Sequence, residues 1–162
     1  YILCSLIGNI PISIAKPISG GKPQYLPKEA LCCLVSDICL ALEVADKPEE
    51  QLKGLMFRPY LLENHGMYFP FSPSRNVRFW MHKTLLSLDM VFLYQGRVIS
   101  LEKNLPICPK LPCRSYGTSH LIDGVIELAA GEITRLGISK GDEVKVIYLK
   151  DASERLYYNK KN

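Results

Sequence analysis

The residues whose types could do chemistry are Arg58, Trp80, Lys83, Thr84 and Asp89, with Tyr116 and Glu127 later in the chain. Brought together they would form a polar patch at the rim of an aromatic wall. That composition suits a small polar ligand such as a sugar or a carboxylate: the indole face stacks, and the Arg58 guanidinium holds an anionic group through two hydrogen bonds. Each residue also has a plainer reading. The single tryptophan stands between Phe79 and Met81, a setting for core packing. An arginine beside a Glu or Asp often makes an ion pair, and an aspartate at a strand start often caps a turn.

Two other chemistries compete. Met56, Met67, Met81 and Met90 with His82 and Trp80 offer thioether and imidazole groups of the kind that select Cu(I). Met81 and His82 are neighbours, however, so on a strand they face opposite sides and share one ion only across a bulge. Methionine in such settings is more often a gap-filler in a core. Hydrolysis by paired carboxylates requires the fold to bring Asp89 and Glu127 within about 5 to 10 Å. No other nucleophile presents itself: Ser72, Ser74 and Ser87 lack an elbow pattern, and His65, His82 and His120 are far apart without metal-type spacing. No catalytic residue, metal or cofactor is assigned. A binding or accessory module, for a small polar ligand or an envelope partner, is the favoured reading.

These side chains need a scaffold, and the chain reads as mainly β with an α+β admixture. Leu31 to Leu34 and Ile38 to Val44 are short apolar, β-branched runs around Val35-Ser36-Asp37, the pattern of a hairpin. Asp46-Lys-Pro-Glu49 reads as a helix start with Asp46 as N-cap and Pro48 in the first turn. Gly54 bounds that helix, and Leu52, Leu55 and Met56 are its expected buried face. Strands follow at Met67 to Phe69, Val77 to Met81, Leu88 to Tyr94, Arg97 to Leu101 after a Gln95-Gly96 turn, Val125 to Leu128, and Glu143 to Leu149. Gly131 to Leu136 is one helical turn or two. Near-continuous apolar strands suit a sheet buried on both faces or curled on itself. The expected architecture is a small twisted barrel-like sheet of seven or so strands with one or two short helices.

With 162 residues, 48% hydrophobic and 22% charged, the chain fits one domain with its own core. A net charge of +4 with scattered basic residues gives no stripe for nucleic acid. The opening run Tyr1 to Ile7, then Gly8-Asn-Ile-Pro11 and Ser13-Ile-Ala15, resembles the end of a secretory signal peptide cleaved after Ala15. It is too interrupted for a membrane span, which needs about 18 apolar residues or more. Residues 16–30 read as a Pro/Gly linker, 31–150 as the domain, and 151–162 as a frayed tail. Six cysteines fit an oxidising compartment, so a secreted or periplasmic monomer is expected. Cys108 and Cys113 sit five apart in a proline-stiffened segment, which suits one bridge; no further ligand pair supports zinc there. A three-residue hairpin loop sets Cys33 opposite Cys39, whereas a two-residue turn offsets them. Cys4 and Cys32 have no assigned partner.

Taken as a set, Glu43-Val44-Ala45, Gly54-Leu-Met-Phe-Arg58, Gly66-Met-Tyr-Phe69, Phe79-Trp80-Met81, Thr84, Leu88-Asp89, the Cys108 to Tyr116 loop, Ile126-Glu127-Leu128 and Gly141-Asp142 resemble the family known as domain of unknown function 192. The resemblance covers about residues 38 to 148, and the proline-cysteine loop is similar to that of its cyanobacterial members. It implies a compact β domain, exported, with no assigned activity. The family pattern Phe-Trp-Met-Lys-Asn-Thr followed by Pro-Leu-Asp is altered here to His82-Lys83-Thr84 and Ser87-Leu88-Asp89. Where that pattern has an asparagine amide, Lys83 offers donors only.

Overall fold

The computed structural model describes residues 21–34 and 38–150. The expected signal segment with Cys4, the first part of the linker, the Val35 to Asp37 turn and the C-terminal tail lie outside the described residues.

The elements in chain order are β1 (Lys28–Cys33), β2 (Cys39–Val44), α1 (Pro48–Lys53), β3 (His65–Arg75), β4 (Arg78–Trp80), β5 (Leu88–Tyr94), β6 (Arg97–Leu105), β7 (Ser115–Gly117), β8 (Ile122–Ala129), α2 (Glu132–Arg135) and β9 (Lys145–Tyr148). Seven strands form one mixed sheet in the order β6-β5-β8-β3-β2-β1-β9, and β4 and β7 form a separate two-stranded ribbon. Among the strands of the described residues only β2 and β3 run parallel, joined by the connection that contains α1. The mainly β expectation holds, and the sheet is barrel-like without being a closed barrel. Its two edges approach at one end: the chain just before β9 bonds to the start of β6 through Val98 N to Asp142 O and Val144 N to Gly96 O, both 2.9 Å.

Alternation explains why the sheet buries both faces. On one face Leu40, Leu42, Val44, Val91, Leu93, Ile126 and Leu128 pack with Ile133 of α2. On the other, Met67, Phe69, Met90, Phe92 and Val125 pack with Met81 and Phe79 from the β4 region. Both sets recur every second residue, as a pleated strand requires. The predicted tight turn between β5 and β6 is present, with Gln95 and Gly96 both at positive φ (50° and 72°), the twist-matched hairpin geometry.

Several expectations need correction. The N-cap of α1 is Lys47, not Asp46; its N–H and its ammonium both donate to the Glu50 carboxylate, at 3.3 and 2.7 Å, because Pro48 takes the first helical position. Leu52 is not on a buried face but 73% exposed, since α1 ends at Lys53 and only Leu55 beyond it enters the core. The Val77 to Met81 strand shrinks to β4, and its partner β7 was not anticipated. Strand β1 starts at Lys28, inside the segment read as linker, and the residues before it are tied down: Gln24 Nε2 donates to the carbonyls of Glu50 and Gly54, both at 2.9 Å.

Both cysteine pairs considered from sequence are bonded, Cys33 to Cys39 and Cys108 to Cys113. Cys33 and Cys39 are register partners in the β1–β2 hairpin. Cys32 is a buried free thiol, and burial pushes it up to about 12, which keeps it protonated and inert.

Candidate functional site

The site grows from one row of side chains across the sheet. Glu43 of β2, Met67 of β3, Glu127 of β8, Met90 of β5 and Glu102 of β6 are successive cross-strand partners and share one face. Glu127 therefore rises between two fully buried methionines. No side chain within the described residues hydrogen bonds to its carboxyl, and burial pushes that carboxyl up to about 8. At neutral pH it is mostly a neutral acid, able to donate as well as accept a hydrogen bond.

Above Glu127 lies a cavity of about 360 Å³. Its floor and wall are Phe69, Phe71, Phe79, Leu55 and Met56; Gln51, Lys53, Arg78, Trp80 and Thr84 supply its polar and amphipathic rim. Local sequence explains the shape. Gly54 ends α1 at φ 47°, and a Cβ there would meet the Phe69 ring at 3.4 Å and Glu127 Oε2 at 3.7 Å. Glycine thus lets the backbone turn directly over the carboxyl. On β4, Phe79 points inward, edge-on to Phe69 at 5.2 Å and to Phe92 at 6.4 Å, so its neighbours Arg78 and Trp80 project outward. Trp80 is 45% exposed.

A second cavity of about 570 Å³ adjoins the first and shares Leu52, Lys53, Met56 and Trp80 with it. Gly21, Lys22, Glu49, Phe57, His82 and Lys83 complete its lining. The rings of Trp80 and His82 are 5.3 Å apart, and His82 Nδ1 is buried without a partner.

Of the seven residues singled out from sequence, the fold brings Trp80, Thr84 and Glu127 to the first cavity, and Lys83 with Trp80 to the second. Arg58 and Asp89 line neither. Arg58 is 4% exposed and ion-paired with Glu43 at 2.5 Å; its Nε donates to the Gln24 carbonyl at 2.6 Å, and it stacks on Tyr25 at 3.9 Å. The Glu43 carboxylate also accepts the Leu26 N–H at 2.7 Å, so this pair fastens the segment preceding β1 to the domain. Asp89 is fully buried and holds three backbone amides, Asn104, Gly131 and Ile133, at 2.8 to 3.0 Å. The plainer readings hold for both residues: an ion pair and a turn cap.

The paired-carboxylate reading fails on pleat geometry. Asp89 is the register partner of Leu128, one residue from Glu127, so the two carboxyls lie on opposite faces of the sheet. The copper set does not assemble either. Met67, Met81 and Met90 are buried in the apolar core, whereas His82, next to Met81, lines the second cavity. Tyr116 is buried under the Arg114 guanidinium and packs in the core. An aromatic wall was expected, but its residues Phe69, Phe71 and Phe79 and the rim residues Gln51, Lys53 and Arg78 were not singled out from the sequence. Only the glycine ahead of Leu55-Met56 hinted at a close approach there.

The model of the DUF192 family, described as uncharacterized ACR, matches residues 35–146. Among solved structures, the chain is similar to a putative transcription regulator from Sinorhizobium meliloti 1021, with 30% identity and TM-score 0.67 over 78% of this chain and 98% of that one. It is also similar to a protein of unknown function from Novosphingobium aromaticivorans DSM 12444, with 27% identity and TM-score 0.65 over 81% and 97% of the two chains. No curated protein matches the chain.

Proposed function

The chain belongs to the domain of unknown function 192 family, and from that premise we propose that it is an exported binding module holding a small polar ligand, a sugar or a carboxylate, in the cavity above Glu127. The observation that carries this reading is the Glu127 carboxyl itself: 5% exposed, without a hydrogen-bond partner from the described residues, and lining a cavity with an aromatic wall. A carboxyl so little exposed is poorly solvated, and a ligand oxygen is a natural hydrogen-bond partner for it. The half-exposed Trp80 offers the flat face on which a sugar ring or planar carboxylate stacks. Thr84 adds a hydroxyl, and Lys53 and Arg78 favour anionic groups at the mouth. Two disulfides support an oxidising compartment as the place of work. No described helix is long and apolar enough to cross a membrane.

Trp80 is the only tryptophan, so its emission reports the site directly. Titration with a panel of neutral sugars, uronic acids and short carboxylates should give a saturable change for at least one member. Glu127→Leu should weaken that ligand about tenfold or more, the loss of one buried hydrogen bond. No saturable response from the panel, or an affinity unchanged in Glu127→Leu by emission and in Trp80→Ala by calorimetry, would remove this reading.

A further inference from the structure

We propose that the second cavity is an anion-binding subsite, taking the carboxylate or phosphate group of a ligand whose body lies across Trp80 in the first cavity. The part about the ligand's body rests on the first cavity being a ligand site; the anion subsite stands on its own residues. Lys22, Lys53, Lys83 and His82 line this cavity against a single carboxylate, Glu49. Among the described residues none of the three ammonium groups is in an ion pair, although four other basic side chains in the domain are. Like charges gathered around a concave surface raise the local potential and concentrate an anion there.

The cluster is held in place by backbone geometry. Phe57 N donates to the Lys83 carbonyl at 2.9 Å, and both residues adopt left-handed conformations, with φ of 62° and 60°. A lysine held at positive φ is uncommon, and such conformations concentrate at ligand clamps. Beside it, His82 Nδ1 is shut off from water without a partner, the kind of orphaned polar atom that calls for an explanation. The shared wall of Leu52, Lys53, Met56 and Trp80 makes the two cavities continuous in function: an apolar and hydrogen-bonding chamber over Glu127 and a cationic one over Lys83. A ligand that fits both is an organic acid or phosphate ester, not a neutral sugar.

The test is NMR titration of the full chain with inorganic phosphate and with acetate, each against sodium chloride at matched ionic strength. The His82 ring and the Trp80 indole N–H are followed. A saturable shift of both signals with phosphate, acetate or both is expected, and which anion acts identifies the group. In the Lys53→Gln/Lys83→Asn double variant, with amide dispersion showing it folded, the affinity should fall about tenfold or more. Shifts that merely follow ionic strength, or saturable shifts equal in the variant, overturn the subsite. Glu127→Leu probes the first cavity separately, because that carboxyl lies outside the cluster. Failure of the first-cavity reading therefore shows in the ligand panel while the phosphate titration still reports on this one.

Discussion

Asp89 and Glu127 stand on neighbouring strands, one register step apart, both buried, and they serve opposite ends. The Asp89 oxygens are saturated by the amides of Asn104, Gly131 and Ile133, which ties β5 to a bulged part of β6 and to the start of α2. Nothing is left for a ligand to bind. Glu127 has the same depth, no amide donors, and a cavity in front of it. Glu43, in the same row of side chains as Glu127, sharpens the point: there Arg58 supplies the missing countercharge. Burial of a carboxyl therefore says little about function. What its oxygens meet decides whether it holds the fold or waits for a ligand.

The largest way to break this contrast is Asp89→Ala. It leaves three backbone N–H groups without their acceptor, that of Ile133 buried, and is expected to lower stability by about 3 kcal/mol, measured by urea unfolding. A loss under about 1 kcal/mol would make Asp89 no more structural than an ordinary surface residue. Glu127 should respond through pH. Burial keeps its proton up to about 8, against 4.5 for a free glutamate side chain. Between those values the folded chain binds more protons than the unfolded one, so stability falls as pH rises. The contribution is fully present below 4.5 and lost as pH passes through about 8. Glu127→Gln removes that slope: near pH 4 the two chains should be close, and near pH 9 the variant should be more stable by about 2 to 4 kcal/mol. Parallel stability profiles across that range would mean that Glu127 is solvated and the cavity wet.

Elements set by local pattern were legible in the sequence. The strand Leu88 to Tyr94 was read to its ends, because its apolar run is closed by the Gln95-Gly96 turn. The Cys33–Cys39 bridge stayed open in the sequence, because it hung on the hairpin loop, and the β1–β2 register decides it. Properties set by long-range partners were not legible. Arg58 looks like a ligand clamp in sequence, because Glu43 and the Gln24 carbonyl, 15 and 34 residues away, are visible only in the fold. Asp89 looks like half of a catalytic pair until the pleat puts Glu127 on the other face. The short β4–β7 ribbon was missed for the same reason: its strands have three residues each and are joined through 34 residues of intervening chain. Trp80 and Glu127, both singled out from the sequence, line one cavity with Phe69, Phe71 and Phe79, three rings that the sequence did not single out as its wall and that belong to the core as well.

The smallest predicted effect separates stability from binding at Lys83. The family pattern has asparagine there, and the fold supplies a reason: φ is 60°, a conformation that asparagine tolerates far better than lysine does. Lys83 gains little in exchange, since its ammonium lies 5.9 Å from the Phe57 ring and is in no ion pair among the described residues. Lys83→Asn should therefore raise stability by about 0.5 to 1 kcal/mol, read from the shift of the urea midpoint at unchanged slope. The same change removes one cation from the second cavity. A chain that becomes more stable while its phosphate affinity falls would show that strain at this position is kept for binding, the trade expected where a site is held against local preference. A chain that becomes less stable would mean instead that the Lys83 side chain supports the Phe57 turn, and that its place beside Trp80 is structural.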